Sequence, residues 1–345
     1  MSWIGTKLSA IGLDAGSKSI KAVQLKYVKG QPRIAASASI DRVSEQLDVP
    51  EIQRVADILY RQGFNGTRLH LAVPPTKLLT SILELPPRVA GSPFEQLARM
   101  EFAKNQKIDP AGFEMACWDL PQAQRATKTT SVMAVGCRYS DAEAILKPFD
   151  AVGFDVLSLD SGSCAVARAC AGVLGGQSGV SAILDLGWRS ASLVLLHDNT
   201  IIYDRPLGDG GVEQLYKDLS QSLGMKFDVI DVLIGEHARL GAGGAAQENQ
   251  TEVSRAIDSH FSVMLKDLEL SFSYAANQYA STGVNRLLLV GGGAGIPGLA
   301  EHWTKHLGIK VQVVRPSDVV AYADGVPSKA DSAMVTALGL AMGVQ

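Results

Sequence analysis

The sequence contains one short pattern twice, and this repeat constrains the fold more than any other feature. An apolar run ends in Asp14-x-Gly16, and a second apolar run ends in Asp185-x-Gly187. The two aspartates stand 171 positions apart in a chain of 345 residues, so the copies occupy corresponding places in its two halves. The same offset superimposes Lys18 on Arg189, Ser19 on Ser190 and Val23 on Val194. An internal duplication is the simplest explanation, and it predicts two lobes of one fold.

Each copy has the form of a β-hairpin whose turn could bind an anion. Gly16 permits the positive φ that a tight turn needs, and the donors of Ser17 and Lys18 would face outward. Asp14 ends a buried strand, a position at which a metal can be bound through water. Taken alone, Asp-x-Gly is also ordinary turn chemistry. The second copy favours the functional interpretation, because two such hairpins facing each other would surround one polyphosphate with two carboxylates and two sets of amides.

Composition and charge exclude several classes of protein. With 46% hydrophobic and 19% charged residues, the chain can bury two sizeable cores. A net charge of -3 and a pI near 6.1 argue against a dedicated nucleic-acid binder. The four cysteines show no CxxC spacing and no secretory leader precedes the first hairpin, which favours a reduced cytoplasmic compartment. No apolar run reaches the roughly 18 to 20 residues that a spanning helix needs, so we expect membrane association only through a partner.

The order of the predicted elements indicates two lobes and an insertion. The insertion is predicted as strand-helix-strand-strand followed by one more helix. Its two helices are predicted to begin at capping boxes, Ser92–Glu95 with Pro93 at the first helical position, and Ser140–Glu143. The predicted ranges are 1–76, 154–178 and about 320–345 for the first lobe, 77–153 for the insertion, and 179–319 for the second lobe, with 226–284 as its helical subdomain.

Two further glycine groups are candidates for contact with a ligand. Gly210 and Gly211 stand at a helix start, where backbone can approach a ligand closely, although use as a flexible turn is an equal alternative. A buried strand is followed by a glycine triplet, which is typical of backbone contact with a flat or anionic ligand. The triplet consists of Gly291, Gly292 and Gly293. His302 and His306 have a chelating spacing, but no acidic ligand is spaced with them, so we interpret them as part of an exposed polar face.

Together these motifs resemble those of the actin and sugar-kinase superfamily. The two hairpins are similar to its phosphate motifs, the glycine triplet to its adenosine motif, and the helix after Asp160-Ser161-Gly162 to its connecting motif. The insertion most resembles that of the type IV pilus assembly protein PilM family and the related FtsA family, through Ile82–Pro87, Met100–Phe102 and Trp118–Asp119. The resemblance covers essentially the whole chain. It implies an α/β actin-like ATPase fold of two duplicated ribonuclease H-like lobes with a small inserted SHS2-type subdomain.

For the site, the resemblance implies ATP with Mg²⁺ in the cleft between the lobes. Asp14 and Asp185 would hold the metal through water, and the glycine triplet would lie along the adenosine. Glu236 and Arg239 match a Glu-x-x-Lys pattern that contacts ribose and base, with arginine in place of lysine. The turn amides expected to hold phosphates are those of Gly16, Ser17, Lys18 and Gly187.

The sequence departs from the family pattern after the second hairpin glycine. Small residues are usual there, whereas Trp188 and Arg189 follow Gly187 in this chain. We therefore expect the indole to narrow the γ-phosphate pocket. No carboxylate base for an attacking water can be identified, so we expect an ATPase that is at most slow.

The resemblance implies an ATP-binding assembly protein of a type IV pilus or a related secretion system. It would bind the N-terminal peptide of a PilN-like inner-membrane partner beside the insertion, and nucleotide would control the closure of the lobes. The location would be cytoplasmic, at the inner face of the membrane through partners, and a homo-oligomer remains open. The alternatives are a scaffold that has lost nucleotide binding, an FtsA-like filament protein and a small-molecule kinase, although no tail suited to membrane targeting and no substrate carboxylate is evident.

Overall fold

Fourteen strands and ten α-helices are present in the part of the chain that can be described. The computed structural model describes residues 7–88, 93–121, 129–176, 178–207, 210–240, 248–279, 283–328 and 331–343, with backbone alone at 237–240 and 248–251. The strands are β1 (Lys7–Leu8), β2 (Ile11–Ala15), β3 (Ser19–Val28), β4 (Gln31–Asp41), β5 (Arg68–Val73), β6 (Leu79–Leu85), β7 (Phe113–Asp119), β8 (Thr130–Arg138), β9 (Asp155–Ser161), β10 (Val180–Leu186), β11 (Ala191–His197), β12 (Thr200–Leu207), β13 (Val284–Val290) and β14 (Lys310–Val313). The helices are α1 (Val49–Arg61), α2 (Phe94–Gln106), α3 (Tyr139–Val152), α4 (Gly162–Leu174), α5 (Val212–Leu223), α6 (Phe227–Leu240), α7 (Glu248–Tyr279), α8 (Leu299–Leu307), α9 (Pro316–Val319) and α10 (Val335–Ala341).

The first lobe is built on a mixed sheet that contains the first predicted hairpin. Its strand order is β4-β3-β2-β5-β9, with β1 also paired to β3. The strands β2, β3 and β4 are antiparallel, whereas β5 and β9 run parallel to β2. Helix α1 begins at the N-cap Asp48, whose side chain accepts from Glu51 N, and it buries Ile52, Val55 and Leu59. These positions fall on one face of the helix, so α1 covers the sheet.

The second lobe repeats this sheet strand for strand. Its order is β12-β11-β10-β13-β14, with the same pattern of antiparallel and parallel pairs. Gly12 pairs with Val23 in the first hairpin, and Ile183 pairs with Val194 in the second. Both members of the second pair stand 171 positions after those of the first, so the repeat preserves strand register as well as strand order. The predicted duplication is confirmed.

The inserted subdomain is a three-stranded antiparallel sheet, β6-β8-β7, covered by α2. Neither predicted capping box forms among the described residues. Pro93 is the N-cap of α2 instead of its first helical residue, and Ser92 lies outside the described residues. Helix α3 begins at Tyr139, before Ser140, because the Tyr139 amide donates to Gly112 O at 3.0 Å. A tertiary hydrogen bond thus sets the start of α3.

The insertion contacts both lobes. Phe149 of α3 is buried in the first-lobe core beside α1, so the last helix of the predicted range 77–153 belongs to the first lobe by packing. On the other side, Trp118 Nε1 donates to Ile201 O at 2.8 Å, and Leu120 and Met133 are buried in the second-lobe core. The three-stranded sheet is therefore fixed to the edge strand β12 of the second lobe.

Two helices, α4 and α10, lie between the sheets of the lobes. Although α4 was predicted within the first lobe, its apolar face packs on the second sheet, whereas α10 packs on the first. The backbones of the two helices are in close contact. A Cβ added at Gly339 would lie only 1.9 Å from Ala165 O. A Cβ on Gly12 would likewise lie 2.2 Å from Ala337 O. Glycine at these positions permits backbone contact between the lobes and their shared helices.

Candidate functional site

Two aspartates occupy equivalent strand ends, one in each lobe. Asp14 is the penultimate residue of β2 and Asp185 is the penultimate residue of β10. Burial, and to a smaller degree the charge of Asp14, raises the pKa of Asp185 to about 6, while Lys21 and Thr336 oppose the shift. The Thr336 hydroxyl donates to Asp185 Oδ2 at 3.3 Å. Because the charge of Asp14 acts on Asp185, we refer to these two residues as the acidic site.

Lys21 is a residue of this site that the motifs did not indicate. Its Nζ is 3.7 Å from Asp14 Oδ2, and 14% of its side chain is exposed. The pairing of β2 and β3 places Lys21 directly opposite Asp14, whereas Ser192 stands opposite Asp185 in the second hairpin. The available signal was a cation two residues after the start of a strand whose following residues, Ala22 and Val23, are apolar. Two carboxylates with one ammonium group leave an excess of negative charge in the cleft.

The first turn is held in place by Arg42. The Arg42 amide donates to Lys18 O at 3.0 Å and its guanidinium to Gly16 O at 3.3 Å. Gly16 does not have the positive φ that the sequence predicted. Glycine is required there for space, because a Cβ would lie 2.5 Å from Lys21 Nζ and 2.9 Å from Ser19 O. Ser17 is half-buried and Lys18 is exposed at the tip of the turn.

The second turn is closed by its own backbone. The Gly187 amide donates to Ser190 O at 3.0 Å, so this donor is already engaged, which differs from the predicted contact with phosphate. The following indole packs edge-on against Tyr216, with 4.9 Å between ring centroids, and against Phe227 at 5.9 Å. Trp188 therefore joins the apolar core of its own lobe.

Gly210 and Gly211 support this second turn. A Cβ on Gly211 would lie 2.3 Å from the carbonyl carbon of Arg189, and one on Gly210 would lie 2.8 Å from Leu207 O. The first amides of α5 donate to the carbonyls of Gly187 and Trp188, at 3.2 and 2.8 Å. The glycine pair thus lets the start of α5 approach the turn, a role that the sequence did not reveal.

The three glycines after β13 occupy three different environments. Gly291 has a φ of +84°, and a Cβ there would lie 2.3 Å from Asp185 Oδ1. Ser332 fixes it, since the serine hydroxyl donates to Gly291 O at 2.8 Å. Gly292 is exposed with open space where its side chain would be, whereas Gly293 packs against Val212. The exposed Gly292 is thus the member of the triplet most accessible to a flat ligand.

A family model for the type IV pilus assembly protein PilM matches residues 12–345. The chain belongs to the PilM family. The match includes both hairpins, the insertion and the glycine triplet. A comparison with curated protein sequences found no match.

Solved structures of low sequence identity share the fold of this PilM-family chain. A PilM-PilN type IV pilus biogenesis complex is 19% identical with a TM-score of 0.78, covering 97% of this chain and 98% of that one. The ethanolamine utilization protein EutJ from Carboxydothermus hydrogenoformans is 16% identical with a TM-score of 0.57, covering 99% and 91%. MreB5 of Spiroplasma citri, bound to ADP, is 11% identical with a TM-score of 0.51, covering 95% and 93%. The fold is the actin-like ATPase fold, as predicted.

Other predicted site residues of the PilM-family chain lie farther along the second lobe. Glu236 is exposed on α6, whereas the side chain of Arg239 is outside the described residues. His302 and His306 stack with 6.0 Å between their rings. Among the described residues, no group of three or more His, Cys, Asp or Glu side chains is arranged to hold a metal. None of the described helices is both long enough and apolar enough to cross a membrane.

The acidic site nevertheless fits a hydrated divalent cation. Asp14 and Asp185 approach from opposite lobes, and their mutual repulsion contributes to the raised pKa of Asp185. A cation between them would replace this repulsion by attraction to both carboxylates. Oxygen ligands and retained water are what Mg²⁺ prefers. Glycine at 291 avoids a clash with Asp185 Oδ1, and glycine at 16 avoids one with Lys21 Nζ and Ser19 O.

Proposed function

We propose that this PilM-family chain binds ATP with Mg²⁺ in the cleft between its lobes. The observation that supports the proposal is that Asp14 and Asp185 hold equivalent strand-end positions in different sheets, and that the charge of Asp14 raises the pKa of Asp185. Each carboxylate would hold Mg²⁺ through water, and the bound cation would supply positive charge to the phosphates. Lys21 adds a buried cation beside Asp14, where it can also attract phosphate oxygens.

The remaining predicted contacts belong to the same proposal. Amides of Ser17 and Lys18 would donate to the phosphates from the first turn. Gly292 would lie along the adenosine, with Glu236 and Arg239 toward the ribose and base. Because the Gly187 amide is engaged with Ser190, the second turn would contribute mainly through Asp185 and its supporting backbone.

Nucleotide binding would favour the closed arrangement of the lobes. A ligand held by Asp14 from one lobe and Asp185 from the other makes both sets of contacts only when the lobes are close. Such differential affinity is what allows a ligand to shift a conformational equilibrium. The close helix pair α4 and α10 lies between the two sheets and would act as the hinge.

Closure would in turn control the binding of a partner beside the insertion. We propose that the partner is the N-terminal peptide of a PilN-like inner-membrane protein, as suggested by the PilM-PilN complex among the similar structures. The insertion contacts the first lobe through α3 and the second through Trp118, so a change in lobe angle would alter its surroundings. The protein would act at the cytoplasmic face of the inner membrane in pilus or related secretion assembly, with no nucleic acid, and hydrolysis would be at most slow.

Titration of a fluorescent ATP analogue with Mg²⁺ tests the nucleotide site. We expect Asp14→Asn and Asp185→Asn each to weaken binding on the order of tenfold or more, because each loses a charge in the cleft. Asp57→Asn is the matched control, since Asp57 is exposed on α1 and bonds Gln53 on the same helix. Unchanged binding in both cleft variants would contradict the proposed site.

A scaffold without nucleotide is the second candidate, favoured by one observation. The Gly187 amide, expected to meet phosphate, is satisfied within its own turn. In that case the parent protein would not bind the ATP analogue at any Mg²⁺ concentration. It would still bind the partner peptide, with an affinity that is the same with and without nucleotide.

A further inference from the structure

Lys18 crosses the cleft and occupies a cage on the opposite lobe. Its Nζ is 4.3 Å from the ring centroid of Trp188 and 5.4 Å from that of Tyr216. The same nitrogen is 4.0 Å from Asp231 Oδ2. Lys18 belongs to the first lobe, whereas all three partners belong to the second. We refer to Trp188, Tyr216 and Asp231 as the lysine cage.

The lysine cage is held together by contacts within the second lobe. The Tyr216 hydroxyl donates to Asp231 Oδ1, which orients the carboxylate. Trp188 and Tyr216 pack edge to face, and Phe227 supports both rings at 5.9 and 5.7 Å. Two aromatic rings beside one carboxylate form a surface that suits an ammonium group. None of these contacts involves Lys18, so residues of the second lobe alone position the three side chains of the cage.

A reciprocal contact comes from the second turn. Arg189, which the duplication makes the equivalent of Lys18, places Nη2 2.9 Å from Glu45 Oε1 of the first lobe. Its Nε is 3.5 Å from Glu213 on its own lobe, which directs the guanidinium. Arg42 donates to the backbone carbonyls of both Glu45 and Gly16. It therefore links Glu45, the partner of Arg189, to the first turn. In each hairpin, the basic residue of the turn therefore contacts the opposite lobe.

We propose that the lysine cage binds the Lys18 ammonium group and that this contact, together with the ion pair of Arg189 and Glu45, holds the two lobes closed. These two contacts form what we call the latch. Each contact has one partner in each lobe, so opening the cleft must break both. The four charged side chains are between 47% and 83% exposed, and exposed ion pairs are individually weak, so these contacts can open without denaturation. The latch deepens the proposed function, and only its effect on nucleotide release rests on that function. Because latch and nucleotide would both favour the closed state, the latch would slow nucleotide release.

Hydrogen exchange without nucleotide tests the latch directly. The variants are Lys18→Gln, Asp231→Asn and the double variant, with Asp228→Asn as a control of equal charge change on the same helix, where Asp228 is exposed. We expect backbone amides of residues 43–47 and 187–190 to exchange on the order of three- to tenfold faster in the two single variants. The double variant should exchange no faster than Lys18→Gln alone, because both changes remove one interaction. Exchange equal to that of the control, or fully additive effects, would overturn the inference.

Release of a fluorescent ATP analogue from the Mg²⁺ complex is the second measurement. Lys18→Gln and Asp231→Asn should release it on the order of three- to tenfold faster than the parent, while Asp228→Asn releases it at the parental rate. Unchanged release together with unchanged exchange would refute the latch. A parent that does not bind the analogue would refute the proposed function instead, and the exchange experiment would still decide whether the latch exists.

Discussion

At the scale of single residues, the cleft contains an excess of negative charge that folding alone does not require. The pKa of the half-buried Asp185 is raised to about 6, because desolvation and the charge of Asp14 both disfavour its ionised form. Lys21 offsets only part of this charge. Such an arrangement is typical of sites where stability is given up for ligand binding.

Asp185 should therefore make the ligand-free protein less stable as pH rises. The pKa of this carboxyl is higher in the folded than in the unfolded chain, so stability falls between about pH 4 and pH 6, by about 2–3 kcal/mol at most. Asp185→Asn removes this pH-dependent decrease in the free energy of unfolding. The substitution should therefore stabilise the protein at pH 7.5 more than at pH 4.5. Denaturant unfolding at both pH values, without Mg²⁺, measures the difference, with Asp57→Asn as the control. An equal effect at both pH values would contradict the assignment.

Metal affinity should show the opposite dependence on pH. Mg²⁺ must compete with the proton that Asp185 binds below about pH 6. We expect the affinity for the Mg²⁺ complex of ATP to fall as pH drops from 7 to 5. Asp185→Asn should abolish most of this pH dependence, since asparagine does not titrate. A parental affinity that is constant over this range would argue against a metal contact at Asp185.

Residue roles were the hardest feature to predict from the sequence. The two aspartates were found because each follows an apolar run and the pattern repeats. Lys21 was missed because a charged side chain in a strand is normally interpreted as solvent-facing, and only the pairing of β2 with β3 places it beside Asp14. Gly16 was assigned a positive φ, although its real constraint is the space next to Lys21. Both errors arise because contacts across strands are not visible in local sequence.

At the scale of secondary-structure elements, the two hairpins and the strand-helix-strand-strand order of the insertion were predicted, whereas the capping signal at 140–143 did not mark the start of α3. Asp141, predicted as part of a capping box, instead pairs with Lys77 at 2.7 Å. A helix after Asp160-Ser161-Gly162 was predicted, but the packing of α4 on the second sheet was not, since small side chains do not indicate which surface a helix will cover. Tertiary contacts therefore decided what local rules left open.

The contact between α4 and α10 should be highly sensitive to added volume. Gly339→Ala would place a methyl group 1.9 Å from Ala165 O, and neither helix backbone can yield easily. We expect a loss of about 3 kcal/mol or more in the free energy of unfolding. Gly172→Ala on α4 is the matched control: the added Cβ meets nothing within 4 Å, so it should stabilise by roughly 0.5–1 kcal/mol. Denaturant unfolding compares the two, and equal effects would show that the helices are not in tight contact.

At the scale of the whole molecule, the insertion links the two lobes. Its final helix α3 packs with α1, while its sheet contacts β12 through Trp118. The sequence predicted the inserted unit from its strand-helix-strand-strand pattern. It did not predict these attachments, because they depend on surfaces far apart in the chain.

Breaking the Trp118 attachment should reduce communication between nucleotide and partner peptide. Trp118→Phe removes the donor to Ile201 O, a loss of about 1 kcal/mol, but keeps an aromatic ring. We expect MgATP to change peptide affinity less in this variant than in the parent, while ATP affinity itself changes little. Tyr139→Phe is the control, since it loses a hydrogen bond to Glu114 inside the insertion. Peptide titrations with and without MgATP provide the measurement, and an undiminished nucleotide effect would rule out this route.

The placement of α10 also has a consequence for biosynthesis. Met334 and Leu338 cover Val23, Leu25 and Ile34, strand residues that leave the ribosome some three hundred residues earlier. The second lobe is nearly continuous in the chain, so it can fold while translation proceeds. The face of the first sheet that α1 does not cover must wait until α10 has been made. Nascent chains should therefore expose this face during elongation, and chaperones are expected to bind there.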